Sequence, residues 1–151
     1  MGRTTMNVSA PGFIADHGSV RREPGGRQID WTQVPAAYDT NAQAGKGRIP
    51  AGTPVAEIVA TGRIVPRVAG ALPAGQAPLG LIVSDAHEDH GPGKTEGLSG
   101  YGVYRGAVVF EDLLPKRPDG TTYLDATIRA ELEGLPGGGF AWKRYSDDRA
   151  S

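Results

Sequence analysis

Across residues 49–115 the chain is a series of short, β-branched runs cut apart by glycine and proline. Residues 55–61 form one run and residues 63–68 the next, with Gly62 between them; residues 79–84 and 101–111 follow. Gly62 can take the positive φ of a tight turn at no steric cost. Short strands separated by turn signals specify a mainly β domain, a small sandwich or barrel. Leu79-Gly80-Leu81-Ile82-Val83 is almost wholly apolar, which predicts a strand buried on both faces. Gly102 and Gly106, inside the longest run, mark bulges or close backbone approaches. Pro54 confines its strand to an edge or to a first position, and Pro66 ends or bulges the second.

One short α-helix is legible over residues 125–133. Asp125 is a good N-cap, Ile128 and Leu132 share a face at i,i+4, and Gly134 is placed to stop it. Gly137-Gly138-Gly139 then reads as a flexible hinge. Residues 140–145 read as a last strand, with aromatics at Phe140 and Trp142.

Residues 1–48 read differently. Their large apolar groups are scattered, and Pro11-Gly12, Pro24-Gly25-Gly26 and Pro35 interrupt any helix or central strand. A structureless stretch of this length is uncommon inside a compact domain. The expectation is a long extended N-terminal arm that gains order from a neighbour, with residues 49–151 as the β-rich domain. Phe13 and Trp31 favour such an arm, because a solvated linker has little use for aromatics. Trp31-Thr32-Gln33-Val34 is expected to be a short strand tying the arm to the domain. Arg21, Arg22 and Arg27 flank the glycine turn. They read either as able to pair with acidic groups on a partner or as solvated loop charges.

The 151 residues suit one domain. The chain has no cysteine, which excludes disulfides and cysteine-based zinc sites. A net charge of -1 gives no global pull toward nucleic acid or anionic lipid. No apolar run approaches the roughly 20 residues of a membrane-spanning helix, and no signal-peptide core follows Met1.

The sharpest chemical string is Ser84-Asp85-Ala86-His87-Glu88-Asp89-His90-Gly91. Imidazoles and carboxylates at this spacing are ligands for a divalent metal. The string resembles the His-x-His-x-Asp-His loop of metallo-β-lactamase-type hydrolases. His87, Asp89 and His90 match three of its positions, and Asp85 stands where the first His belongs. The chain holds three His in all, and His17 lies far upstream, so a second metal site has no ligands. An exposed acidic loop explains the string better. Gly93-Lys94-Thr95 lacks the earlier glycine of a phosphate-binding loop, whose place is taken by Glu88. Tyr101, Tyr104, Phe110 and Trp142 with Arg105 could stack bases, but core or interface packing accounts for them without a basic cluster.

The order of elements resembles tailed-phage head decoration proteins, also called capsid cement proteins. The residues that carry it are Pro50-Ala51-Gly52-Thr53, the runs 55–61 and 63–68, the loop of small residues after them, residues 79–83, and Val103-Tyr104-Arg105-Gly106-Ala107-Val108-Val109. The resemblance covers about half the chain and rests on order and spacing. It implies a small β-tulip-like domain, commonly a homotrimer, on the outer surface of the virion capsid. Its partner would be the major capsid protein, with no enzyme activity, cofactor, nucleic acid or membrane involved. The arm residues that would bind the capsid are Arg3, Phe13, Ile14, Arg21, Arg22, Arg27 and Trp31. The alternatives are a metal-dependent hydrolase built on Asp85, His87, Asp89 and His90, or another phage structural β-module of the tail or head–tail junction.

Overall fold

A computed structural model describes residues 12–38, 47–88 and 100–146. Eight strands and one helix make up the described fold: β1 Ile14–Arg22, β2 Arg48–Ile49, β3 Pro54–Ile58, β4 Ile64–Pro66, β5 Gln76–Ile82, β6 Ala86–His87, β7 Val103–Phe110, α1 Ala126–Glu133 and β8 Phe140–Lys143. The main sheet runs β1-β7-β5-β3-β4, all antiparallel, and β8 joins β7 in parallel. β2 and β6 form a separate antiparallel pair.

The sheet closes on itself. Running on from β1, residues 27–30 bridge both ends of the strand path. Arg27 and Tyr101 exchange backbone hydrogen bonds at 2.8 Å. Further on, Ile64 N donates to Gln28 O at 2.9 Å, and Asp30 N donates to Ile64 O at 3.0 Å. The small, mainly β fold expected from the punctuated runs is therefore present, with one short helix set against it.

β5 and β7 separate two apolar clusters. Leu81 and Tyr104 face one, with Phe13, Ile14, Phe140 and the α1 residues Ile128 and Leu132. Ile82 and Val103 face the other, with Ile29, Ile49, Val55 and Ile64. The almost wholly apolar composition of residues 79–83 has this cause: the first four are buried, with Leu81 in the first core and Leu79 and Ile82 in the second. Gly62 makes the β3–β4 turn at φ +76°. Gly102 and Gly106 are close approaches, since a Cβ on either would lie within 2.3 Å of an arginine Nη2 from β1.

Helix α1 follows its sequence signals. The Asp125 carboxylate accepts from Ile128 N at 2.8 Å, and Gly134 N bonds back to Ala130 O. Ile128 and Leu132 are its buried residues. The triple glycine is a built turn rather than a hinge: Gly137, Gly138 and Gly139 all have positive φ, and a Cβ at 139 would lie 2.4 Å from Leu132 O.

The expectation for residues 1–48 needs correction. Residues 14–22, assigned to a separate arm, form β1, which pairs along β7 within the domain's own sheet. Phe13 and Ile14 are only 5% and 4% exposed, so both belong to the core and not to a partner surface. Residues 31–34 are not a strand: Trp31–Gln33 is a single 3-10 turn. Asp30 caps it by accepting from Thr32 N at 3.2 Å and from the Thr32 hydroxyl at 2.5 Å, a local bond that competes with extended backbone.

Candidate interaction site

The arginines of β1 and of the loop behind it divide into one that is consumed by the fold and two that lie on it. Arg27 is consumed. Its Nε and Nη2 donate to the two Glu23 oxygens at 2.6 and 2.7 Å. Its Nη1 donates to Glu57 at 2.7 Å and to Gly62 O at 2.8 Å. One side chain thus ties the exit of β1 to the β3–β4 hairpin. The fork toward Glu23 holds that carboxyl below its usual range, against the upward push of burial. Arg105 adds a longer contact to Glu23, 3.4 Å.

Arg21 and Arg22 lie over glycines of the β7 segment. Arg21 sits above Gly106 and reaches Gly139 O at 3.5 Å. Arg22 lies on Gly102. Together with Glu23, Gly25, Gly26, Gly100 and Gly102, Arg22 lines a cleft of about 370 Å³. Trp31 packs half-buried against the second core cluster and covers Gly47, where a Cβ would meet its ring at 2.9 Å. Arg3 lies outside the described residues.

Compared with known protein families, with curated proteins and with solved structures, the chain matches none.

Two further clefts contain charged side chains already held in ion pairs. One, of about 310 Å³, contains Glu111 and Arg129, which form an ion pair. The other, of about 240 Å³, is walled by Pro35, Tyr38, Val68 and Pro118, with Arg67 and Arg117 at its edge. Arg67 is 2% exposed and forms a fork with Glu131 at 2.8 and 2.7 Å. Tyr38 and Tyr123 bond through their hydroxyls, and burial pushes both phenols above their ordinary value.

The acidic string of residues 84–91 is partly placed. Asp85 braces the start of β3: its carboxylate accepts from Ala51 N at 2.7 Å and from Arg48 Nη2 at 2.8 Å. Burial pushes its carboxyl up, but these two donors more than offset that and hold it below the usual range. His87 lies on β6 opposite Arg48, and Glu88 accepts from Gly47 N at 3.1 Å. Asp89 and His90 lie outside the described residues. Among the described residues no group of three His, Asp or Glu side chains is gathered as a metal site would need.

Sequence reasoning picked out Arg22 but missed its surroundings. The two pairs of glycines that form the cleft, Gly25 with Gly26 and Gly100 with Gly102, are far apart in the chain. Only the close approach expected at Gly102 hinted that something lies on that backbone.

Proposed function

We propose that this chain is a head decoration protein of a tailed bacteriophage, a homotrimer that binds the outer surface of the expanded capsid and stabilises contacts between major capsid proteins. The observation that carries the reading is the order of elements. The turn Pro50-Ala51-Gly52-Thr53, the β3–β4 hairpin, the small-residue loop, the apolar β5 and the closing β7 follow one another in the order on which the resemblance to that family rests. A barrel with its own closed core and an exposed arginine over a glycine cleft suits a module that binds by its surface.

Because β1 belongs to the sheet, removal of the whole arm would unfold the domain. The informative deletion stops before Gly12 and takes out residues 1–11, Arg3 included. The purified protein should sediment with empty expanded shells in saturable, near-stoichiometric amounts, and the deletion should lose that binding with its thermal transition intact. Full-length protein that ignores expanded shells, or a deletion that decorates at undiminished affinity, would count against the reading. Binding to tail or head–tail components instead would move the chain to another phage structural β-module.

A further inference from the structure

The glycine-lined cleft behind β1 holds a guanidinium that the rest of the described molecule does not use. Arg22 is exposed, and its side chain lies along the bare backbone of Gly102, where a Cβ would stand 2.3 Å from Nη2. Among the described residues no carboxylate pairs with it. Glu23, in the cleft wall, is engaged at both oxygens by Arg27 and again by Arg105. Glu57 takes the remaining arm of Arg27. Glu23 and Glu57 thus answer Arg27 and Arg105, and the charge of Arg22 is left over.

The opposite wall is backbone. Gly25 holds φ +78°, and a Cβ there would meet nothing within 4 Å. Gly25, Gly26, Gly100 and Gly102 bring no side chains to the cleft, so a ligand can approach their backbone closely.

We propose that this cleft takes a carboxylate, the side chain of an aspartate or glutamate presented by a protein partner. A guanidinium offers a planar fork that matches a carboxylate bidentately. One negative charge answers the one surplus positive charge. A phosphate dianion would bring a second negative charge toward Glu23 with no cation to meet it. The inference rests on the reading of this domain as a protein-binding module, but it does not require the partner to be a capsid.

The test is a titration of the full-length ¹⁵N-labelled protein with a blocked tetraglutamate peptide at low ionic strength, followed by amide and arginine Nε–H correlation spectra. The peptide should produce saturable shifts at Gly25, Gly26, Gly100, Gly102 and Arg22 Nε–H. Arg22→Gln, an exposed change that leaves the fold alone, should weaken binding at least tenfold. Gly102→Ala, which pushes the guanidinium aside, should weaken it as well. Inorganic phosphate should bind more weakly than the peptide. Shifts that are absent or spread over the whole surface, affinity unchanged in Arg22→Gln, or phosphate binding more tightly than the peptide would each overturn the assignment. The titration involves no shells, so the two failures are separable. Peptide binding by a protein that ignores shells refutes only the decoration reading. Decoration by a protein that ignores the peptide refutes only the carboxylate site.

Discussion

A Cβ at position 80 would stand 1.9 Å from the carbonyl oxygen of Tyr104. The obstacle is backbone of the central strand β7, which cannot step aside as the tip of a side chain can. Gly80 is therefore what lets β5 cross onto β7 and lets the two cores share those strands. Gly80→Ala should cost about 3 kcal/mol or more, in the range of overpacking in a filled core, read as the shift of a urea unfolding midpoint. A loss below about 1 kcal/mol would mean that β5 and β7 are not held this closely. Ser19 shows the opposite device, a side chain that replaces backbone. The ladder between β1 and β7 is interrupted there, and the Ser19 hydroxyl accepts from Val108 N at 2.8 Å while donating to Asp16 O at 2.6 Å. Ser19→Ala leaves that amide without its partner and should lower stability by about 1 kcal/mol. Faster hydrogen exchange at Val108 than at Phe110, whose amide bonds Phe13 O, would be the local signature.

Elements were legible where local chemistry decides them and illegible where a neighbour does. Helix α1 was readable because its cap, its i,i+4 pair and its stop lie within ten positions of one another. Strands β3, β4, β5 and β7 were readable from β-branched runs and turn residues, with ends off by a few positions. Strand β1 was not. Its register against β7 shifts between Ile14 and Asp16, between Asp16 and Arg21, and again between Arg21 and Arg22. Each shift destroys the period-two alternation that marks a half-buried strand, so Ile14 and Val20 looked scattered. The candidate site suffered in the same way: Arg27 looked like a free arm cation because Glu57 and Gly62 are remote in sequence. The buried pair between Arg67, beyond β4, and Glu131, on α1, was equally unreadable, since 64 positions separate its members. Arg67 has four acceptor contacts, two of them on Glu131. Glu131→Ala should cost about 3–5 kcal/mol by leaving a buried charge uncompensated. Adding Arg67→Met should recover much of that loss in the same unfolding assay, which a purely steric role for Glu131 would not allow.

At the scale of the whole molecule, closure makes stability a matter of a few ionisable groups. Residues 27–30 join the two ends of the sheet, and the Arg27–Glu23–Glu57 cluster holds them there. Glu23 has a folded pKa below its ordinary 4.5, chiefly through its hydrogen bonds from Arg27. As pH falls below about 4.5 the unfolded chain takes up that proton first, so stability falls with pH and the contribution is lost on passing the lower folded value. Tyr38 and Tyr123 act at the other end. Burial raises both phenols above their ordinary 10.0, so above pH 10 the unfolded chain ionises first and stability falls as pH rises. The expected profile is a plateau across neutral pH with a decline on each side. On the alkaline side a single buried phenol contributes a slope of up to about 1.4 kcal/mol per pH unit. Equilibrium unfolding in urea from pH 3 to 11 measures both limbs. Glu23→Gln should make the acid limb shallower, leaving the part that Asp85 and Asp125 supply, and should not touch the alkaline one; Tyr123→Phe should make the alkaline limb shallower and leave the acid one. If neither limb responds to its own substitution, the closure cluster and the tyrosine pair are not what ties stability to pH.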